Sequence, residues 1–303
     1  LKGIKNPNIN NQELFMRKPT TTLVFISSLI IILVIIAAGL GVFWQGEGEA
    51  FAFQSLRGET IMMQGHGLYY YETVSTAAQA IAQDAVTLIL GVPLLIIALV
   101  LSLKGSLRGQ LLLSGTLAYF LYTYASFVFG AAYNVLFLLY VALFSLSLFA
   151  FILSIMAIDV SGLAVQFSPK LPRRAIAVFM FAVGLFLIMA WLGRIVPALV
   201  NNRPPLGLES STTLVIQALD LGLVIPLAIL AGILLWRRRP WGYMLTAIVL
   251  IKGFTLAMAV SAMAVNMMLA GVHVAIGEMV MFPTLALVDI GMMVIFLKNV
   301  ESA

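Results

Sequence analysis

Residues 235–254 read "LWRRRPWGYMLTAIVLIKGF". Three arginines and a proline–tryptophan–glycine turn separate two apolar runs, and Lys252 sits inside the second run. A helix of about 20 apolar residues crosses the roughly 30 Å hydrocarbon core of a bilayer. The stretch therefore reads as a tight basic turn between two spans, 212–236 and 241–266. Six further runs pass the same test: 21–44, 84–103, 110–130, 134–158, 175–198 and 279–298. The expected fold is all-α, a polytopic transmembrane helical bundle of eight spans forming a single domain over 1–303.

Composition excludes the soluble alternative. The chain is 62% hydrophobic and 10% charged over 303 residues, with a mean hydropathy of +1.08. Soluble domains are about 45–50% apolar and about 25% charged. There is no cysteine, so disulfides, thiolate metal sites and a cysteine nucleophile are all excluded.

Charge placement predicts the orientation. Lys2, Lys5, Arg17 and Lys18 precede the first span, and Lys104 and Arg108 follow the second. Lys170, Arg173 and Arg174 follow the fourth, the Arg237–Arg239 triplet follows the sixth, and Lys298 closes the eighth. The alternate loops carry Glu47, Glu49, Glu59, Glu72, Glu209 and Glu278, with only Arg57 and Arg203 against them. Basic loops stay in the cytoplasm, so both termini are expected inside, in a multi-pass protein of the cytoplasmic membrane. The run after the 1–20 segment is too long for a signal peptide, whose apolar region is about 7–15 residues. It is expected to be an uncleaved first span. The 45–83 segment is expected outside as a loop or cap, since ordinary helix–helix connections run about 2–8 residues.

A weak internal repeat aligns 91–109, "GVPLLIIALVLSLKGSLRG", with 224–242, "VIPLAILAGILLWRRRPWG". Pro93 matches Pro226, Gly109 matches Gly242, and Lys104 stands opposite Arg237. Two sets of four spans would be parallel repeats, because an even number of crossings restores orientation. Each proline removes a backbone donor and is expected to kink its helix.

The polar residues inside the spans are the candidate site. Lys252 lies near the bilayer midplane, where a charge costs at least about 2.5–3.5 kcal/mol and needs a partner or water. Asp289 and Asp220 fall at similar depth, so a Lys252–Asp289 pair with Asp220 as second carboxylate is expected, either coupling ions or fixing helix register. A second set is expected to line an outward pocket for substrate. Gln79, Gln83 and Thr87 recur every four residues beside Asp84, and Tyr119, Tyr122, Trp191 and Arg194 stand at similar depth. No catalytic residue, cofactor or metal is assigned. His66 and His273 lack any ligand spacing, and phosphate-loop, dinucleotide, zinc-protease and serine-elbow motifs are absent from the sequence. The arginine triplet is read as an interfacial anchor, not a nucleic-acid site.

The stretches "AAQAIAQDAVTLILGVPLL" and "GTLAYFLYTYASFVFGAAYN", together with "QALDLGLVIPLAILAGILLWRRRPWGY", resemble an uncharacterised family of prokaryotic polytopic membrane proteins. The resemblance spans most of residues 68 to 254 and implies no activity, substrate or site. The residues themselves lead to transport or binding of a small polar solute or ion, with the lipid bilayer as the other partner. The alternatives are a membrane-embedded enzyme with its site at the outer face, drawing on Asp84, Glu72 or His66, and a non-catalytic accessory or sensor subunit.

Overall fold

The computed structural model describes residues 19–44 and 46–301. The basic cluster of Lys2, Lys5, Arg17 and Lys18 lies outside the described residues. Eight helices are long and apolar enough to cross a membrane: α1 (Thr21–Phe43), α2 (Val74–Leu103), α3 (Leu107–Gly130), α4 (Phe137–Met156), α5 (Arg173–Val200), α6 (Val215–Trp236), α7 (Pro240–Leu269) and α8 (Ile276–Lys298). The chain is a multi-pass membrane protein. Helices serve here because every backbone donor and acceptor away from the ends is bonded within its own segment, leaving none to the hydrocarbon.

Side chains cap several starts. The hydroxyls of Thr20, Thr73 and Ser106 accept the amides of Leu23, Thr76 and Gly109 at 3.2, 3.1 and 3.3 Å. Each satisfies one of the four orphan donors at a helix start. α8 instead carries Glu278 in its first turn and Lys298 in its last, which complements the helix dipole at both ends.

α3 is the most buried span and α7 the next. They pack against each other at the centre. Gly115 of α3 meets Ile251 of α7 so closely that a Cβ there would lie 2.5 Å from the Ile251 Cβ. Around this pair, α2 packs on both α3 and α7, α4 and α6 on α3, α6 and α8 on α7, and α5 on α6. α1 lies against α2 and α4.

The second span begins earlier than hydropathy indicates. Its helix starts at Val74 and runs through the polar stripe, because glutamine and threonine bonded inside the bundle do not interrupt a helix. The segment between α1 and α2 is correspondingly shorter and contains a hairpin not expected from sequence. β1 (Phe51–Gln54) pairs antiparallel with β2 (Thr60–Met63), Phe51 opposite Met63 and Gln54 opposite Thr60. Gly58, at φ +84°, supplies the left-handed residue of its turn. The Arg57 guanidinium donates to the carbonyls of Glu209 and Ser211 at 2.9 and 2.6 Å. The hairpin is thus tied to the loop between α5 and α6.

Both prolines follow the same backbone form. The turn before Pro93 is a π-turn, Thr87–Gly91, and the turn before Pro226 is a π-turn, Asp220–Val224. Val92 donates to the Thr87 carbonyl and Ile225 to that of Asp220. The likeness continues into the following turns. Gly105 and Arg238 both have positive φ, +78° and +54°. Three turn bonds recur as well: Lys104 to Val100, Gly105 to Ser102 and Ser106 to Leu101 in one, Arg237 to Ile233, Arg238 to Leu235 and Arg239 to Leu234 in the other. Gly109 lies against the backbone of Leu101 and Ser102, and Gly242 against that of Leu234 and Leu235. Every one of these pairs is separated by the same 133 residues as Pro93 and Pro226 (226 − 93).

Candidate functional site

The side chains assigned to one pocket fall into three groups. In the first, Gln83 and Thr87 of α2 face Tyr119 and Thr123 of α3. The Gln83 amide donates to the Tyr119 hydroxyl at 2.8 Å and to Thr123 and Thr87 at 3.3 Å. The Thr87 and Tyr119 hydroxyls share a hydrogen bond of 2.7 Å. These groups face the bundle interior but bond one another, forming a closed polar knot at the α2–α3 contact. Gln79 does not join it; its amide turns back to Ser75 of its own helix.

The second group surrounds Asp84, which is 3% exposed and accepts a hydrogen bond from Tyr69. α1 closes over it at Gly41, where a Cβ would overlap the Asp84 carboxylate. Just outside lies Glu72. It accepts the Thr76 hydroxyl and the Ala132 amide, each at 2.7 Å, while Thr73 donates to Glu209. Burial raises the Glu72 carboxyl above its ordinary value; the two donors oppose this and the charge of Glu209 adds to it. Burial and, after it, the nearby Asp84 hold the Tyr69 phenol well above its ordinary value.

The third group is charged, with Lys252 and Asp289 at mid-span and Asp220 nearer the start of α6. Asp220 sits in the π-turn of α6 and is 3% exposed. Its two oxygens accept the Tyr122 hydroxyl at 2.7 Å and the Trp191 indole N–H at 3.0 Å. Lys252 of α7 is 7% exposed, and its Nζ stands 3.7 Å from the centre of the Tyr122 ring. Asp289 of α8 approaches α7 at Gly253, where a Cβ would overlap its carboxylate. Both carboxylates lie close enough for their charges to act on Lys252.

The expected hydrogen-bonded Lys252–Asp289 pair is not formed. Lys252 Nζ and Asp289 Oδ1 are both buried without a hydrogen-bond partner. The ammonium lies on the electron-rich face of Tyr122, a favourable place for a cation away from water. The same ring presents its hydroxyl to Asp220, so Tyr122 links the cation to one carboxylate.

Arg194, expected in the outward pocket, is set apart from the three groups. Its guanidinium lies against Gly207, where Glu209 and Glu278 act on it, while Trp191, one turn earlier on α5, reaches Asp220. Sequence reasoning also missed Tyr69, Tyr124 and Tyr140, the aromatic neighbours of Asp84. Their only signal is tyrosine just before α2 and within α3 and α4, which is also what an interfacial aromatic belt looks like.

Comparison of the chain with known protein families, with curated proteins and with solved structures finds no match.

Proposed function

We propose that this protein moves a small polar solute or ion across the membrane and that Lys252, Asp220 and Asp289 form its proton-handling centre. The observation that carries the reading is the pair of orphan atoms at mid-span, one donor on Lys252 and one acceptor on Asp289. A buried ionisable group left without a partner is destabilising, by about 3–5 kcal/mol where a pair has been broken. Intramembrane ionisable residues are by default functional candidates.

One cation among two carboxylates leaves a surplus negative charge. Asp220 is committed to its two donors, whereas Asp289 has an oxygen open. Asp289 therefore takes up and releases the proton, and Lys252 senses the change in its field. The basic loops are assigned to the cytoplasm. The 133-residue correspondence around the two π-turns supports duplication of an ancestral unit, with α3 and α7 as its equivalent central helices.

The test is infrared difference spectroscopy of the purified protein as pH is stepped across neutrality. A protonated-carboxyl band that titrates and vanishes in Asp289→Asn supports the reading. A band that persists in that variant, or no titrating band, means that the charges only lock helix packing.

A further inference from the structure

Asp84 differs from the other two intramembrane carboxylates in having no basic side chain acting on it among the described residues. Its one hydrogen bond comes from Tyr69. Two further phenols, Tyr124 of α3 and Tyr140 of α4, are 1% and 2% exposed; the Tyr124 hydroxyl is buried without a hydrogen-bond partner, and the Tyr140 hydroxyl lies among Tyr69 and Asn134. The charge of Asp84 reaches both, and the Tyr140 hydroxyl stands beside that of Tyr69. Phe127 completes the wall, its ring centre 6.3 Å from Tyr69, 6.1 Å from Tyr124 and 5.1 Å from Tyr140. Gly41 brings the α1 backbone down onto the carboxylate.

We propose that Asp84 and the hydroxyls of Tyr69, Tyr124 and Tyr140 form a binding site for a monovalent metal cation, Na+ in the first instance, separate from the Lys252 centre. A proton on Asp84 removes the unpaired charge but leaves the Tyr124 oxygen unmet. A metal cation answers both needs, because it neutralises the carboxylate and is coordinated by the phenol oxygens. Each phenol O–H stays free to donate to a neighbouring oxygen, as Tyr69 does to Asp84. The single carboxylate fixes the ionic charge at one; a divalent ion would leave a net positive charge in hydrocarbon. The surrounding ring faces add attraction for a cation and none for an anion.

The test is thermal unfolding of the purified chain in detergent, with NaCl titrated against choline chloride at constant ionic strength, at a pH where carboxylates are ionised. Na+ should raise the midpoint saturably and choline should not. Asp84→Asn should abolish the Na+-dependent shift. Tyr140→Phe removes a single oxygen and should weaken half-saturation about tenfold, the low end of what losing one supporting group costs a metal site. Radioactive sodium binding to Tyr140→Phe and Tyr124→Phe decides the matter if Asp84→Asn does not fold. Lys252→Met should keep the full Na+ shift, so failure of the Lys252 reading leaves this site standing and the reverse holds too. Equal stabilisation by choline, or a Na+ shift that survives in Asp84→Asn, overturns the proposal.

Discussion

Tyr122 makes two contacts with two parts of one side chain, so two substitutions separate them. Tyr122→Phe keeps the ring under Lys252 Nζ, 3.7 Å from its centre, and deletes the hydroxyl that donates to Asp220 at 2.7 Å. Neutral interhelical hydrogen bonds within membranes average about 0.6 kcal/mol, with a maximum near 1.7. Hydrogen bonds to charged groups are worth about 1.5–3 kcal/mol. With Asp220 ionised the charged range applies, and Tyr122→Phe should cost about 1.5–3 kcal/mol. Tyr122→Leu also removes the ring face, a contact worth about 2 kcal/mol when desolvated. Its total should reach about 3.5–5 kcal/mol. Equilibrium unfolding in mixed micelles, with wild type and both variants side by side, reads both numbers. A Tyr122→Phe cost of about 0.6 kcal/mol or less would show that Asp220 is not ionised. Equal costs for Phe and Leu would show that Lys252 carries no charge over the ring.

Three further outcomes are expected. Gly115→Ala places a Cβ 2.5 Å from the Ile251 Cβ, so it should cost about 1–3 kcal/mol by overpacking; Gly115→Ala with Ile251→Ala should recover most of that in the same unfolding assay. Glu72 has a folded-state value above its ordinary 4.5, so the folded state holds the extra proton and the stabilisation falls as pH rises from about 4.5 through the folded value. Unfolding midpoints across that window should therefore fall with a steeper slope in wild type than in Glu72→Gln, and an unchanged slope counts against the assignment. Reporter fusions after Lys104, Arg174 and Arg239 should be cytoplasmic and those at Glu59, Pro205 and Gly271 external; an external reporter after Arg239 overturns the orientation.

The spans were legible because burial in lipid demands an unbroken apolar run, and the turns because arginine and lysine cluster there. Seven of the eight helices begin within three residues of the hydropathy boundary. The exception, α2, starts ten residues early (74 against 84), because its first three turns carry polar side chains that are bonded within the protein, Gln83 across to α3. Gln83 looks like a loop residue until Tyr119 and Thr123 stand opposite it. The outer hairpin was hidden for a related reason. β1 and β2 have four residues each, too few for a period-2 pattern to emerge from glycine-rich flanks. In the charged group, depth along the helices identified Lys252, Asp220 and Asp289 together. Depth carries no information on rotation, so it could not show that Tyr122 and Trp191 hold Asp220, or that Asp289 stays unbonded.

The two π-turns bear on why the charges exist at all. Counting 133 residues onward, Thr87 falls on Asp220 and Tyr119 falls on Lys252. In the first half the residues at these positions are neutral and hydrogen-bonded to each other at 2.7 Å. In the second half they are an acid and a base, and the base has no hydrogen bond. The same turn, proline and helix contact therefore accept an uncharged, fully bonded solution. Buried ion pairs are weak sources of stability beside well-packed replacements, and an unbonded ammonium is weaker still. At the corresponding positions Thr87 and Tyr119 meet the same turn and helix contact without a charge. What stands around Asp220 and Lys252 instead is a buried lysine near two carboxylates, one bonded by Tyr122 and Trp191 and the other with an oxygen open. The open oxygen of Asp289 is where the proposed proton uptake would occur, and it sets the Lys252 centre apart from the closed knot around Tyr119.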